Sequence, residues 1–480
     1  MYRIFAILLL LFRLNPAIAD DQVLALLKEL KEQVNGLKKQ VEQANSRISE
    51  LENQLQLYRG GQQAAVNPAI GSQQLSAKPV ALSNESLSGK GNEKPAVTVG
   101  DIKGTFKIPG TETSIGLGGY IKTDVLLNSI SSGRDRLGDQ QLVLSQIPVG
   151  GAPGEHSQLA VHAKESRLWF KSFTPGNWGD INTFIEMDLF GDSATYTYTP
   201  RLRHAYGSIG NFLAGQTWTT FLNAAALPDH LDVGGVAGAI ASLRQPLLRW
   251  TQAFSIAGLS MDWQNALEAP RSRIWDSGLA AANAANPNND NYFSSPNADR
   301  YPDLVTRVNF NPEWGNVSIA ALGRQVRYTA GTGLQRGSWG GGVNVAGKIN
   351  AFGLDNIRFM GHYGNGAGRY VANINTFSDA DLDNAGNLEL TTTYGGMLAY
   401  QHWWNKQWRS TMSYGFSQAD QPGFVNTLLN RQVRSLQANM LWSPVNQAMM
   451  GIEYTYANRE LIDGQVGYLQ RIQFSARYSF

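Results

Sequence analysis

The sequence contains no cysteine, and only 16% of its 480 residues are charged. The absence of cysteine excludes disulfide bonds, thiol catalysis and metal sites built on cysteine. The formal net charge is +2, so the chain lacks the strong basic excess of nucleic-acid-binding proteins. Charged residues also fall well below the share of about a quarter that is usual in globular proteins.

Catalytic motifs and long apolar runs are scarce as well. Beyond Ala19 no segment reaches the roughly 20 consecutive apolar residues that a membrane helix needs. There are six histidines, none in a recognisable nucleophile motif, and the Gly-x-Ser-x-Gly elbow is absent. No Lys-Ser or Lys-Thr pair follows the glycine-rich segments 340–342 and 364–368, as a phosphate-binding loop requires. We therefore expect neither an enzyme nor a cofactor.

The N-terminus has the pattern of an export signal. A short basic start, Met1-Tyr2-Arg3, precedes the apolar core Ile4–Phe12, and Ala17-Ile18-Ala19 forms a cleavage site before Asp20. The apolar core is too short to span a membrane. The pattern predicts a signal peptide over residues 1–19.

Residues 20–58 show a strict seven-residue repeat with polar flanks, which predicts a coiled coil. Positions a are Leu27, Val34, Val41, Ile48 and Leu55, and positions d are Leu30, Leu37, Ala44, Leu51 and Tyr58. β-Branched residues at a with leucine at d favour two-stranded parallel coils. Packing of the rest of the chain as a barrel in a membrane could override this preference. The oligomeric state therefore stays open at this point. Residues 59–99 contain no aromatic residue and are rich in Gln, Asn, Ser, Ala, Gly and Pro, which predicts a flexible linker.

From Gly100 the pattern changes to a period of two residues. In 114–128 the apolar series from Ile115 to Leu127 alternates with a small or polar series that includes Lys122 and Asp124. Segments of about ten residues with one polar face are typical of transmembrane β-strands. Sixteen such segments begin near positions 114, 158, 180, 200, 211, 247, 258, 301, 316, 338, 356, 391, 407, 431, 447 and 467. We therefore predict an all-β transmembrane barrel of about 16 antiparallel strands over residues 100–480.

The connections alternate between short turns and long loops. Segments 175–179, 311–315 and 443–446 are short, whereas 129–157, 265–300 and 365–390 are long. Short periplasmic turns and long external loops are usual in outer-membrane barrels. An even strand count places both ends of the barrel, and hence the coiled coil, on the periplasmic side.

The last strand is the sharpest local signal. Ile472, Phe474, Ala476, Tyr478 and Phe480 alternate with Arg471, Gln473, Ser475, Arg477 and Ser479, and the sequence stops at the aromatic residue. A terminal Phe480 after such a strand resembles the signal that the barrel-assembly machinery of Gram-negative bacteria reads.

These parts, in this order, resemble the DcaP-like trimeric outer-membrane porins. The resemblance is carried by 118–122 (GGYIK), 165–170 (ESRLWF), 213–221 (LAGQTWTTF) and the terminal RYSF. It implies a homotrimer of sixteen-stranded barrels in outer-membrane lipid, with a loop folded inward, that takes up small anionic solutes such as dicarboxylates. It identifies no individual substrate residue.

The segment 216–246 would be the third long loop and the constriction. It carries Asp229, His230, Asp232 and Arg244 among small residues that let a loop lie flat against a barrel wall. The alternative is a mobile external loop. If the loop lies inward, its acids would face basic residues of the wall.

Arginines recur on the predicted strands. Arginine on a lipid face costs ~2–4 kcal/mol at the midplane, so most should face the lumen or an interface. A guanidinium stays charged and pairs with both oxygens of a carboxylate. The predicted pore-lining residues are Lys122, Arg167, Arg201, Arg203, Arg244, Arg249, Arg307, Arg324 and Arg477, with Asp229 and Asp232.

Within this set, Arg201, Arg203 and Arg249 are the best candidates for an anion ladder. The alternative is that they pair with Glu186, Asp188, Asp229 or Asp232 and only keep the pore hydrated. The competing function is a carbohydrate or general diffusion porin, in which aromatic residues stack on sugars. Most aromatic residues here fall on apolar strand faces or, like Trp169 and Trp404, near strand ends, so the anion pore ranks first. The coiled coil could also tether the barrel to the cell wall.

Overall fold

The computed structural model describes Lys39 and residues 98–480, apart from 133–136, 151–155, 193–196, 238–242, 277–292, 295–298, 330–332 and 372–375. The chain divides into two units, Met1–Gly91 and Asn92–Phe480. The predicted signal peptide, and all of the predicted coiled coil and linker but Lys39 and 98–99, lie outside the described residues. In the part that is described, no helix has the length and apolar character needed to cross a membrane.

The described part of the second unit consists almost entirely of β-strands. In chain order they are β1 (Thr98–Val99), β2 (Phe106–Lys107), β3 (Ser114–Ile130), β4 (His156–His162), β5 (Arg167–Thr174), β6 (Ile181–Asp188), β7 (Arg201–Ile209), β8 (Phe212–Trp218), β9 (Arg244–Ile256), β10 (Leu259–Glu268), β11 (Ile274–Asp276), β12 (Phe293–Ser294), β13 (Asp303–Asn311), β14 (Gly315–Thr329), β15 (Gln335–Asn350), β16 (Asn356–Asn365), β17 (Ala380–Leu382), β18 (Leu388–Leu390), β19 (Thr392–Trp403), β20 (Trp408–Asp420), β21 (Asn430–Val445), β22 (Ala448–Leu461) and β23 (Val466–Ser479). A short α-helix, Leu137–Gln140, and short 3₁₀ turns at Leu144–Gln146, Ala224–Ala226 and Gly368–Tyr370 lie between strands.

Sixteen strand positions close into one antiparallel barrel. β4 and β5 are two segments of the second position, since both pair with β3. The last strand, β23, pairs with β3 from Arg471–Asn128 to Ser479–Tyr120, and this pairing closes the ring. The sixteen-stranded barrel predicted from the sequence is confirmed. Predicted and observed strand starts differ most for the strands predicted to begin near 247 and 338, which begin at Arg244 and Gln335.

The two faces of the strands divide as their alternation predicts. On β3, Leu117, Ile121 and Leu127 are exposed on the outer surface, whereas Lys122 and Asp124 are buried on the inside. On β23, Ile472, Phe474 and Tyr478 are exposed, and Arg471 and Gln473 are buried. Apolar groups therefore face outward and polar groups face the lumen, as lipid around the barrel requires.

The two ends of the barrel differ in the length of their connections. At one end the strands join through short turns, such as Ala257-Gly258, whose φ values of 51° and 83° suit a two-residue hairpin turn. The other end carries the long segments 131–155, 219–243, 269–302 and 366–391. This asymmetry places the short turns in the periplasm and the long loops outside the cell. Two of the long loops form a small external sheet in the order β12-β11-β17-β18.

Replacing Ile472 with arginine tests the assignment of the faces of β23. Ile472 lies on the outer face at the middle of the strand, where arginine should lower the free energy of unfolding by about 2–4 kcal/mol. Tyr468 lies on the same face near the external end, where arginine should cost about 0–1 kcal/mol. Urea titration of protein folded into lipid vesicles measures both values. Equal losses at the two positions would contradict the assignment.

Candidate permeation pathway

The third loop, 219–243, runs inside the barrel and is tied to the wall near its start. The guanidinium of Arg307 on β13 donates to the carbonyl oxygens of Thr220 and Leu222. The amide of Asn223 donates to Asn316 Oδ1 at 2.7 Å and to Ser318 Oγ at 2.9 Å, both on β14. The loop therefore lies against β13 and β14 before it crosses the lumen.

The tip of the third loop is bound to the last strands of the barrel. Asp232 accepts a hydrogen bond of 2.6 Å from Arg471 on β23, and neither side chain is exposed. The backbone amides of Leu231 and Asp232 donate to the carboxylate of Glu453 on β22, which also lies 3.0 Å from His230 Nδ1. A buried charge is costly unless it is paired and hydrogen-bonded, and both conditions hold here. These contacts fix the loop to the wall opposite its origin.

Two further loops fill the external part of the lumen next to β20–β23. Leu142 and Leu144 of loop 131–155 and Phe377 of loop 366–391 pack with Ala237 of the third loop. The cluster is completed by inward-facing residues of four neighbouring strands: Ala419, Val433, Ala457 and Leu469. Because buried apolar side chains exclude water, this wall leaves little room for a hydrated solute at that level.

The acids of the lumen are largely taken up in ion pairs. Arg201 lies 2.6 Å from Asp188, and Arg203 lies 2.7 Å from Glu186 and 2.8 Å from Asp188. For Arg201 and Arg203 the geometry thus agrees with the alternative of pairing with lumenal acids, rather than with a free anion ladder.

The acids of the third loop are paired on the opposite wall. Asp229 lies 2.6 Å from Arg409, just as Asp232 pairs with Arg471. Lys122 contacts Asp124 and Glu165 and donates to the carbonyl oxygen of Leu231 at 2.6 Å. The expectation that the loop acids face basic wall residues therefore agrees with these contacts, but the partners are Arg409 and Arg471 rather than the predicted arginines.

Four of the predicted arginines form no ion pair with any described carboxylate. Arg244 lies over the ring of Trp218 at 4.4 Å, and Arg477 lies over Tyr120 at 5.3 Å. Arg249 and Arg307 complete the set, and Arg307 is hydrogen-bonded only to neutral oxygens. Arg167 is intermediate, with carboxylates at 3.5 and 3.7 Å. On the same wall, Asp262 and Glu268 of β10 are hydrogen-bonded to neutral groups rather than to a base, so they partly offset the positive charge of Arg249 and Arg307.

Arg324 has a different place from the other arginines. It is fully buried at the external mouth, 2.9 Å from Asp379 of loop 366–391 and 3.3 Å from Asp303. Asp379 also accepts the backbone amides of Arg273 and Arg369. Arg324 therefore holds loops over the mouth. In the nearby external sheet, burial raises the pKa of Asp381 to about 6.

Aromatic residues line part of the lumen, which the sequence reasoning missed. Trp169 stacks on Phe184 with ring centroids 6.4 Å apart, and Phe184 lies 5.8 Å from Tyr206. Tyr120, on the inner face of β3, continues this strip. Trp169 lies near a strand end, as the sequence predicts, and its ring lies over inward-facing Gly118. The sequence feature that indicated this is Phe184, which belongs to the same alternating series as the polar residues Asn182 and Glu186.

No group of three or more potential metal ligands occurs in the described ranges.

Comparison with known proteins gives a family and a fold. Residues 106–480 match the model of the DcaP outer membrane protein family. The outer membrane channel DcaP of Acinetobacter baumannii superposes with a TM-score of 0.63 at 20% identity, over 78% of this chain and 99% of that chain. An anion-selective porin from Comamonas acidovorans gives 0.48 at 12% identity, over 77% and 100%, and OmpT of Vibrio cholerae gives 0.46 at 10% identity, over 77% and 98%. No curated protein matches the chain.

Replacing Asp232 with alanine should release the tip of the third loop. The substitution leaves Arg471 buried without its carboxylate, and loss of one partner of a buried pair typically costs about 3–5 kcal/mol. We expect a noisier and larger single-channel conductance together with a lower free energy of unfolding. Asp463→Ala is the control, because the carboxylate of Asp463 accepts hydrogen bonds from Gln465 within its own exposed turn and does not touch the third loop. Unchanged conductance in the Asp232 variant would show that the pair does not fix the loop.

Proposed function

Because the chain belongs to the DcaP outer membrane protein family, we propose that it is a passive channel for small anionic solutes, with dicarboxylates as the main class. The observation that carries this proposal is the uneven pairing of lumenal charge. Most lumenal acids are held by basic partners, whereas Arg244, Arg249, Arg307 and Arg477 have no described carboxylate within ion-pair distance. Fixed positive charge in a narrow pore favours anions.

A carboxylate solute suits this lumen better than a spherical anion. Guanidinium groups pair with two carboxylate oxygens at once. Arg244 and Arg249 both lie on β9, where that strand leaves the third loop. A solute with two carboxylates could engage one before it leaves the other. The third loop and loop 131–155 narrow the opposite side and direct the solute towards this wall.

The remaining sequence predictions complete the proposal. Residues 1–19 direct export, and residues 20–58 form a coiled coil in the periplasm, joined to the barrel by the linker 59–99. Phe480 is the residue that the assembly machinery would recognise. Two observations support this role: its backbone pairs with Gly119 at the closing seam, and its side chain is exposed on the outer face.

Replacing Arg244 and Arg249 together with glutamine tests the anion pathway. The reversal potential in a salt gradient should shift towards cations, and block of the current by succinate should weaken by about tenfold or more, since a charge-assisted hydrogen bond contributes about 1.5–3 kcal/mol. The control is Arg201→Gln with Asp188→Asn, which conserves the net charge of the lumen. Selectivity that changes equally in both variants, or in neither, would remove these arginines from the pathway.

The alternative is a carbohydrate or general diffusion porin, which the aromatic strip of Trp169, Phe184 and Tyr206 favours. Aromatic faces stack on the apolar faces of sugars as well as on other planar groups. In the same bilayer experiment, a current blocked by maltotriose but not by succinate would support this alternative. Sensitivity of that block to Trp169→Ala would place the sugar on the strip.

We also propose that the protein is a homotrimer in which β5–β8 face a neighbouring copy. These four strands have only seven to nine residues. At about 3.4 Å per residue and a tilt of about 40°, eight residues span roughly 20 Å, less than the apolar band of about 25 Å. A row of small or polar residues, Ser172, Thr183, Gly207 and Ala214, also crosses their outer face. Such a row permits close approach of another wall.

Replacing Ala214 with tryptophan should dissociate the trimer, because the ring would occupy the space of the neighbouring copy. Ala438→Trp on the outer face of β21 is the matched control and should leave the trimer intact. Light scattering of the purified protein in detergent gives the mass of each assembly. A trimer that tolerates both substitutions would place the interface elsewhere.

A further inference from the structure

An apolar groove of about 580 Å³ lies on the outer surface of the barrel, away from the lumen. Its size falls within the range of about 300–1,000 Å³ that is usual for ligand sites. It crosses five neighbouring strands, β8, β9, β10, β13 and β14. The outward side chains that line it include Phe212, Leu248, Leu267 and Leu304, all about half exposed.

The groove exists because its floor lacks side chains. At Gly323 a Cβ atom would meet nothing within 4 Å. Gly323 pairs with Gly341 on β15, so that two glycines lie side by side on the outer face, while Leu304 stands next to them on β13. Two residues further towards the external end, Trp339 on β15 stacks on Tyr301 with centroids 5.6 Å apart. Amphipathic rings of this kind settle at the boundary between lipid and water.

Three arginines lie at the external end of the groove strands. They are Arg271 after β10, Arg300 before β13 and Arg327, which shares the outer face of β14 with Gly323. None forms an ion pair with any carboxylate of the described ranges, and Arg327 donates to Gln335 Oε1. Arg327 is four residues from Gly323, about 13 Å along the strand. The groove therefore ends, at the membrane boundary, below a group of cations without anionic partners.

We propose that this groove and the arginines above it bind lipid A, the phosphorylated anchor of lipopolysaccharide, in the outer leaflet. Acyl chains would fill the apolar groove, and the phosphates of the sugar headgroup would pair with the arginines. Arginine suits phosphate because its planar fork donates two hydrogen bonds. The external position of the arginines selects the outer leaflet and therefore this lipid.

A second copy of the chain fits this surface less well than a lipid. The charges above the groove have one sign, so two such surfaces in contact would bring unpaired arginines together. The short strands β5–β8, with their row of small residues, offer a better site for a neighbour. The proposal concerns the outer surface and holds whichever solute the channel carries.

The test titrates the purified full-length protein in detergent with bisphosphorylated lipid A and, separately, with phosphatidylglycerol, and counts bound lipid by native mass spectrometry. The triple variant Arg271→Gln, Arg300→Gln and Arg327→Gln should weaken lipid A binding by about a hundredfold, because each basic residue at a membrane surface typically contributes about a factor of five to the binding of anionic lipid. Gly323→Leu, which fills the floor, should also reduce lipid A binding.

Two matched controls should bind lipid A as the unmodified protein does. Arg431→Gln removes an exposed external arginine that pairs with Glu460 on another part of the wall. Gly361→Leu adds bulk at an outward glycine of β16 with comparable open space, outside the groove. Single-channel conductance of every variant reports folding and keeps a failure of lipid binding distinct from a failure of the channel.

Three results would overturn the proposal. The first is lipid A binding that neither the arginine variant nor Gly323→Leu reduces. The second is phosphatidylglycerol binding of equal strength with the same dependence on the arginines, which would assign the groove to glycerophospholipid. The third is dissociation of the oligomer by Gly323→Leu, which would make the groove a contact between copies.

Discussion

The hydrogen bonds between β23 and β3 are the constraint on which the rest of this structure depends. Lipid offers no partner for a free backbone N–H or C=O group, so a sheet in a membrane must have no edge. The register from Arg471–Asn128 to Ser479–Tyr120 removes both edges at once. Closure also fixes which residues face inward, because a shift of one residue would exchange the two faces of a strand. Every lumenal charge described above follows from this register.

The charged groups of the lumen are of two kinds, which differ in their partners. On the side of β20–β23, ion pairs such as Asp232–Arg471 are dehydrated and hold the third loop. By contrast, Arg244 on β9 lies over the ring of Trp218 and Arg477 on β23 lies over the ring of Tyr120, and neither forms an ion pair with a described carboxylate. Pairs of the first kind give a loop one fixed position. Cations of the second kind remain available to an anion, because the negative face of a ring is a weaker partner than a carboxylate.

The sequence was sufficient for the barrel but not for the contacts inside it. Strand existence and facing follow from alternation, which is local, and it separates Lys122 from Ile121 on β3 and Arg471 from Ile472 on β23. Which lumenal residues meet depends on where a loop of some 25 residues lies. Asp232 and Arg471 are 239 positions apart, and no local pattern connects them. The burial of Arg324 likewise depends on Asp379, a residue of a different loop. The inward strip of Trp169 and Phe184 was missed because aromatic residues were associated with apolar faces, although their position in the alternation indicated the lumen.

The attachment of the third loop has a consequence for the order of assembly. The loop follows the fifth strand position, but Glu453 and Arg471, which hold its tip, belong to the last two. Contacts between residues so distant in sequence form late, because the intervening chain must first be ordered. The first strands can therefore pair while the loop is still free, and the loop reaches its final position only when β22 and β23 have arrived. A chain that stalls before its C-terminal strands would be both unclosed at the seam and unobstructed in the middle.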